Sequence, residues 1–218
     1  MPQITKVEPQ RKNADRFNVF VDEKFAFGVS AQNLLTRSLK VGKILSSADI
    51  EKIAKYENLS KLQDIAMQYL NYRPRSEKEI KDHLAKKLAQ KENIKFSQAQ
   101  QSPLIQTAIT KLKKYKFIND LEFAKWFVTS RQKNHTKSSR IISIELKLKG
   151  IDEKIIQKVL TAIVNEKDLA IRALQKKVKR WANLPEVERK KKIYQFLLFK
   201  GFSYDIAKEA FAFFEKKD

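Results

Sequence analysis

The sequence predicts a mainly α-helical protein in which about three tandem three-helix repeats follow a small N-terminal antiparallel β segment. The repeats are indicated by segment 149–156, whose pattern recurs in segment 200–207, 51 residues later. Each copy contains a glycine, then an apolar residue, then a residue that caps helices. Apolar residues have helical spacing from residue 46 onward and strand-like alternation before residue 30.

The first 60 residues are predicted to form the β extension. The predicted strands are 4–7, 17–21 and 24–29. Asp22 and Glu23 form a turn between the last two, and two or three antiparallel strands fit the pattern. Such a small sheet needs a helix to pack on. Ser30 is predicted to cap a short helix that runs through Leu39.

The rest of the chain is divided into three predicted repeats, 62–116, 117–165 and 166–218. Gly150 and Gly201 suit the left-handed position that ends a helix. The first repeat is the irregular copy, because the polar stretch 91–102 is predicted to be a loop where the other repeats have a glycine. The third repeat is predicted to have a helix near 167–182 and another that begins at Pro185.

Helix starts are predicted from capping residues. Ser76 and Glu79 have the spacing of a capping box, and Pro74 keeps the residue before it out of a helix. Ser138 or Ser139 begins another helix. The remaining predicted caps are Asp120, Asp152 and Ser203.

The charge balance predicts a polyanionic partner. The 218 residues include 46 Lys and Arg against 25 Asp and Glu, a net charge of +21, and nucleic acid is the usual partner of such a chain. The net charge is +3 over residues 1–60, +12 over 61–165 and +6 over 166–218. We therefore expect the binding surface in the middle and C-terminal parts.

Several classes of function are disfavoured by composition. Without cysteine the chain has no disulfide, thiolate metal site or cysteine nucleophile. No phosphate-binding glycine loop is present, and His83 and His135 lack companion metal ligands. We therefore expect no enzyme, no metal and no cofactor. No apolar run approaches the length of a membrane span, and we expect a cytoplasmic protein without a membrane partner.

The candidate binding residues are basic side chains in three groups. They are Arg73 and Arg75; Arg131, Lys137, Arg140, Lys147 and Lys149; and Arg189, Lys190, Lys191, Lys192 and Lys200. The forked guanidinium groups of the first group could contact phosphates or carboxylates. Alternatively, one arginine pairs with an acid such as Glu77 and stabilises the turn before the helix that begins at Ser76. Arg75 is the favoured candidate for this structural role.

The other two groups also have two interpretations. Arg140 and Lys147 share a helix face and could follow a nucleic-acid backbone, or they could simply face solvent. The run 189–192 is interpreted as four like charges at a helix start, which opposes the helix dipole and indicates an external anion. Twelve aromatic residues could stack on bases, but their helical spacing favours core packing. They are Phe117, Phe123, Trp126, Phe127, Trp181, Tyr194, Phe196, Phe199, Phe202, Phe211, Phe213 and Phe214.

Several motifs in order resemble the RecX family. They are Tyr72–Ile80 with Leu84, Phe117–Ala124, and then Arg131, Arg140, Ile141, Glu145, Leu146 and Lys149–Ile151. The N-terminal β segment resembles the extension of longer members from Gram-positive bacteria. The chain departs from the commoner pattern at Lys116 to Ile118. It also lacks the helix-ending glycine in the first repeat, near Lys95. Both departures fall at structural positions.

The resemblance implies three tandem three-helix repeats in an elongated, curved molecule. It also implies a regulator, usually an inhibitor, of the RecA recombinase that lies in the groove of the RecA–DNA filament. The expected partners are therefore the RecA filament, single-stranded DNA and, as a further candidate, double-stranded DNA. Because a repeat array does not require a partner subunit, we expect a monomer.

Two other functions remain open from the residues. A DNA-binding module that uses three-helix units as helix-turn-helix readers would bind duplexes selectively and usually as a dimer. A nucleic-acid-processing enzyme would need a carboxylate cluster, which the sequence does not indicate.

Overall fold

The computed structural model describes residues 2–11, 13–134, 136–161, 165–175 and 177–215. It is mostly helical, with one small sheet at the N-terminus, as the sequence predicts.

The sheet has three antiparallel strands in the order β1-β2-β3. They are β1 (Ile4–Gln10), β2 (Asn13–Val21) and β3 (Lys24–Ser30). Asp22 and Glu23 have φ angles of 48° and 65°, so the two-residue turn has the primed form that matches the twist of a hairpin. The predicted strands and turn are confirmed, and each strand extends beyond its prediction at one end.

The helices follow in chain order. They are α1 (Ala31–Thr36), α2 (Ser47–Leu70), α3 (Glu77–Glu92), α4 (Phe96–Gln100), α5 (Pro103–Lys114), α6 (Asp120–Asn134), α7 (Ser139–Leu148), α8 (Glu153–Leu160), α9 (Glu166–Gln175), α10 (Glu186–Phe199) and α11 (Tyr204–Glu215). A single 3₁₀ turn, Val178–Arg180, lies between α9 and α10.

The chain forms two compact units. The first unit comprises Met1–Asn71 and Lys81–Tyr115, and the second unit comprises Tyr72–Ile80 and Lys116–Asp218. Helix α3 therefore contributes its first turn to the second unit and the rest to the first. The repeat boundaries at residues 62, 117 and 166 stay predictions.

Each unit has its own apolar core. In the first unit, the inward faces of the strands pack with Leu39, Leu45 and Ile53. In the second unit, α6, α7 and α8 enclose one cluster that includes Phe123 and Ile142. Helices α9, α10 and α11 enclose another cluster, so both repeats have the predicted three-helix form.

A buried carboxylate joins α2 to the sheet. Glu57 on α2 is 2% exposed, and its Oε2 accepts hydrogen bonds from Nη2 of Arg16 at 3.1 Å and from the backbone N–H of Ser30 at 3.3 Å. Its Oε1 accepts a further bond from Nδ2 of Asn33 at 2.7 Å. Since a buried charge without partners is very costly, these three donors fix where the helix meets the strands.

Two predicted helix ends are wrong. Helix α1 stops at Thr36 instead of Leu39, because Ser38 takes a left-handed conformation with φ of 48°. Helix α9 ends at Gln175 instead of near residue 182, and the 3₁₀ turn follows it. Lys176, between the two, lies outside the described residues.

The first repeat has a left-handed residue at its helix end, a corner like those at Gly150 and Gly201. This corrects the prediction of a long loop there. Asn93 is left-handed, with φ of 51°, and asparagine tolerates this conformation better than most residues. The N–H of Ile94 donates to the carbonyl of Ala89 at 3.2 Å. The residues after Gly150 and Gly201 make the equivalent bond to the carbonyl five positions back, both at 3.1 Å, and short helix α4 occupies part of the predicted loop.

The start of α3 docks on the corner at the end of α7. Ser76 is fully buried and forms the predicted capping box with Glu79. The same hydroxyl donates to the carbonyl oxygen of Lys149 at 2.8 Å. The next amide, of Glu77, donates to Oδ1 of Asp120 at 2.8 Å. One serine therefore caps its own helix and also bonds to the following repeat.

Asp120 does not cap its own helix as predicted. Oδ1 of Asn119 accepts the N–H groups of Leu121 and Glu122 at 3.0 and 3.2 Å, so Asn119 is the N-cap of α6. The Asp120 carboxylate is left to bind the start of α3, and this role depends on a partner 43 residues away.

The same docking recurs one repeat later. The backbone N–H of Ser138, the N-cap of α7, donates to the carbonyl oxygen of Lys200 at 3.2 Å. The next amide, of Ser139, donates to Oε1 of Glu166 at 2.6 Å. Lys200 and Glu166 thus take the places that Lys149 and Asp120 have at the first junction. We call this arrangement of serine, lysine carbonyl and carboxylate the repeat junction.

Glycine is required at both repeat junctions for two reasons. Gly150 and Gly201 have φ angles of +78° and +86°, which strain residues with a Cβ. A Cβ on Gly150 would lie 2.8 Å from Cβ of Lys78, and one on Gly201 would overlap Cγ1 of Ile141. The helix ends can approach the preceding repeat closely only because these corners carry no side chain.

Replacing Gly201 with alanine should reveal both requirements. We expect Gly201→Ala to lower the free energy of unfolding by about 2–4 kcal/mol, combining left-handed strain with steric overlap. Gly42→Ala is the matched control, because Gly42 has a φ of +88° but its Cβ would only make an ordinary contact with Nε2 of Gln3 at 3.8 Å. It should cost only about 1–2 kcal/mol. Equal destabilisation of the two variants in urea unfolding would contradict the close approach at Gly201.

Candidate nucleic-acid interface

All twelve basic candidates belong to the second unit, and the structure sorts them by their contacts. Some bind buried or half-buried acids and hold the fold together. Others reach solvent and are available to a partner.

Glu79 binds two of the candidates. Its Oε1 accepts from Nη2 of Arg73 at 2.8 Å and from Nζ of Lys149 at 2.6 Å, and its Oε2 accepts from Nη1 of Arg73 at 3.2 Å. The Arg73 guanidinium also lies 5.6 Å from the ring centre of Trp126. An arginine–acid ion pair thus forms here between Arg73 and Glu79. Arg75 is half-buried, and its predicted structural role stays a prediction.

The pKa of Glu79 reflects these partners. Burial alone would raise the pKa of the carboxyl, but hydrogen bonds from Arg73 and Lys149 outweigh it and lower the pKa to about 2. The two cations are therefore held by contacts within the fold, and the Glu79 carboxylate balances one of their two positive charges.

Glu145 on α7 binds two more candidates. Its Oε2 accepts from Nε of Arg131 at 2.7 Å, and its Oε1 accepts from Nζ of Lys137. Burial would raise the pKa of Glu145, but the Lys137 hydrogen bond and the Arg131 charge lower it overall. The guanidinium of Arg131 also lies over Phe127, 4.6 Å from the ring centre. These contacts join the end of α6 to α7.

The run 189–192 does not lie at a helix start, which corrects that interpretation. Pro185 is the N-cap of α10, and Glu186 and Glu188 occupy its first turn, where acids are favourable. The run therefore falls in the second turn and beyond, and the dipole argument for an external anion fails. Arg189 donates to Oε1 of Glu215 at 2.8 Å.

Two other lysines have contacts of intermediate strength. Lys147 pairs with Glu153 at 2.8 Å, but both side chains are more than half exposed, so the pair is weak. Lys200 is half-buried with its ammonium 5.5 Å from the ring centre of Phe196, and its carbonyl oxygen belongs to the repeat junction.

Three candidates are exposed and make no ion pair or hydrogen bond with any residue that the structure describes. They are Arg140 on α7 and Lys191 and Lys192 on α10. Lys190 is also exposed, and its ammonium lies 5.7 Å from the ring centre of Phe211. These are the cations of the predicted set that can meet a polyanion without breaking the fold.

Helices α7 and α10 also carry exposed apolar side chains, which the sequence did not predict. Leu148 and Phe199 each stand directly before the lysine of a repeat junction, and they are 70% and 86% exposed. Phe117 is also half exposed, so core packing is wrong for it and for Phe199. Phe123, Phe127, Phe202 and Phe211 are buried as predicted. The repeated position of Leu148 and Phe199 was visible in the sequence, but their exposure was not.

Other site types find no support within the described ranges. No group of three or more His, Asp or Glu side chains could hold a metal ion, and none of the helices there could cross a membrane. His83 is half-buried and stacks on Tyr69 with ring centres 4.0 Å apart, while His135 lies outside these ranges.

Glu79→Gln should make stability less dependent on pH. Because folding lowers the pKa of Glu79 from about 4.5 to about 2, its stabilisation is present above pH 5 and is lost as pH falls towards 2. We expect the wild type to exceed the variant by roughly 2–3 kcal/mol at pH 7, with the gap closing between pH 5 and pH 2. Urea unfolding across this range measures it.

The control is Glu122→Gln, which removes an exposed pair with Lys125. It should change stability by less than about 0.5 kcal/mol at either end of the pH range. A wild-type advantage over Glu79→Gln that stays constant from pH 7 to pH 3 would contradict the assigned ion pairs.

Four family models match successive parts of the chain. The RecX N-terminal domain matches residues 2–46, and the first, second and third RecX three-helix domains match residues 64–92, 119–160 and 165–211.

Curated relatives match over nearly the whole chain. A protein of Bacillus pumilus named regulatory protein RecX is 38% identical over 212 residues, which cover 96% of this chain and 76% of the relative. The protein of the same name from Bacillus subtilis is 36% identical over the same shares.

Two solved structures have the same fold. A crystal structure of regulatory protein RecX matches with a TM-score of 0.65 and 28% identity, covering 95% of this chain and 98% of that one. The crystal structure of RecX from Lactobacillus salivarius matches with a TM-score of 0.58 and 28% identity, covering 72% of this chain and 96% of that one. With its sheet, its three three-helix domains and these relatives, the chain belongs to the RecX family.

Proposed function

We propose that this protein is a non-enzymatic regulator of the RecA recombinase. It binds the RecA–single-stranded DNA filament and inhibits filament growth, ATP hydrolysis and strand exchange during recombination and the response to DNA damage. Membership of a family whose members are named regulatory proteins carries this proposal. The properties of the second unit support it.

The charge of the second unit suits a nucleoprotein partner. After the acid-bound cations are set aside, Arg140, Lys191 and Lys192 remain solvent-facing and free of ion pairs within the described part of the chain. Lysine and arginine side chains of this kind attract phosphates or acidic protein surfaces over a Debye length of about 10 Å. Binding that depends on them weakens as salt rises.

Apolar contacts would supply the rest of the affinity. Leu148 and Phe199 are large, exposed and repeated at equivalent positions of α7 and α10. A large exposed apolar side chain gains free energy when a partner removes it from water. Phe199 could pack on a RecA side chain or stack on an unpaired base, and both are present in a filament.

In this proposal, the protein inhibits RecA by occupying a site on the filament. A chain of docked three-helix domains that contacts more than one RecA subunit would block the addition of the next subunit. No chemical step on DNA or nucleotide is required, and the described residues offer no metal cluster for one.

The decisive experiment measures RecA ATPase and filament assembly on single-stranded DNA. We expect the wild type to suppress both at amounts well below one molecule per RecA. Arg140→Gln/Lys191→Gln/Lys192→Gln should require several-fold more protein, because it removes three solvent-facing charges without touching a buried acid. The salt dependence of binding should also weaken, by up to about 0.7 in the log–log slope for each phosphate that the variant no longer binds.

The matched control removes the same charge from the first unit. Lys52, Lys55 and Lys86 are all exposed on α2 and α3, and Lys52→Gln/Lys55→Gln/Lys86→Gln should inhibit like the wild type. Unchanged RecA kinetics with wild-type protein would overturn the proposal. Sequence-selective binding to duplexes without any effect on RecA would instead favour the helix-turn-helix alternative.

A further inference from the structure

A half-enclosed cavity in the first unit carries an excess of positive charge. Its volume is about 280 Å³, and it lies between the sheet and helices α2 and α3. Its charged lining residues are Arg16 on β2, Glu57 and Lys61 on α2, and Lys91 on α3. Three cations therefore face one anion.

The single carboxylate of this cavity is already committed. Glu57 accepts hydrogen bonds from Arg16, from the backbone of Ser30 and from the side chain of Asn33, at 2.7 to 3.3 Å. Its role is to hold α2 on the sheet. It can balance the charge of Arg16 but not also that of two lysines.

The two lysines have no anionic partner among the described residues. Nζ of Lys91 donates to the neutral Oδ1 of Asn58 at 3.3 Å. Burial, followed by the charges of Lys91 and Arg16, lowers the pKa of Lys61. The three cations thus repel one another across a space that a ligand can enter.

Arg16 also has an unused donor. Its Nε is buried and has no hydrogen-bond acceptor within the part of the chain that the structure describes. An unsatisfied buried N–H costs free energy, and more so on a charged group. An anion in the cavity would place a negative charge beside this guanidinium and would relieve the repulsion between the cations.

We propose that this cavity binds a phosphate group, held by Arg16, Lys61 and Lys91. Forked guanidinium and flexible ammonium donors together suit the several oxygens of a phosphate. The ring of Phe25 lines the same cavity and is 59% exposed, so it can cover a base or sugar attached to that phosphate. The phosphate belongs either to a free nucleotide or to a nucleotide of single-stranded DNA.

The test compares three probes on the full chain. Inorganic phosphate, adenosine monophosphate and a short oligothymidylate are titrated by calorimetry into wild type and into Lys61→Gln/Lys91→Gln. We expect the variant to bind at least one probe about tenfold more weakly. The control is Lys55→Gln/Lys86→Gln, which removes equal charge from exposed positions of the same helices outside the cavity lining and should bind like the wild type.

Each outcome of the titrations either supports the phosphate site or overturns it. Weaker binding of oligothymidylate alone assigns the site to a DNA phosphate, and weaker binding of inorganic phosphate or the mononucleotide assigns it to a free ligand. Equal affinities in the two double variants, or no binding of any probe to the wild type, would overturn the proposal. Circular dichroism and thermal unfolding check that both variants fold, which we expect because neither change touches the Glu57 contacts.

The proposed site is independent of RecA regulation. It lies in the first unit and uses none of the solvent-facing cations of the second unit. Loss of phosphate binding with intact RecA inhibition, or the reverse, therefore separates the two proposals.

Discussion

The second unit depends on a close backbone approach at each repeat junction. A helix ends in a left-handed glycine, and the carbonyl just before that glycine accepts a hydrogen bond from the serine that begins a helix of the preceding repeat. Helix ends leave unsatisfied carbonyl and amide groups. Here the end of one helix and the start of another satisfy each other across the junction, and any Cβ at Gly150 or Gly201 would separate them.

Two carboxylates of the second unit bind several of the basic residues. Glu79 forms ion pairs with Arg73 and with Lys149, the lysine of the first repeat junction. Glu145 forms ion pairs with Arg131 and Lys137. Four of the cations that were predicted to bind a nucleic-acid partner are therefore bound to acids within the fold. The surface left for a partner is smaller, and it combines a few cations with exposed apolar groups.

Local patterns allowed most of the architecture to be predicted. Left-handed glycines, helix-capping serines, the capping box at Ser76 and the start at Pro185 act within a few residues, so their consequences can be inferred without a structure. The corner at Asn93 was missed because asparagine is a weaker signal for a left-handed residue than glycine. Asp120 was misassigned because a second capping residue, Asn119, stands directly before it.

The sequence by itself determined the family and the helical repeats and predicted a negatively charged partner, because ordered motifs, periodicity, capping and net charge are local or additive properties. Only the tertiary structure decided which cations are bound to acids, which apolar residues face solvent, and that Arg16, Lys61 and Lys91 line one cavity. Those outcomes depend on contacts between residues tens of positions apart. The glycine corners belong to both levels, since their left-handed turn can be predicted from the sequence, whereas the helix start that occupies the missing Cβ position appears only in the folded chain.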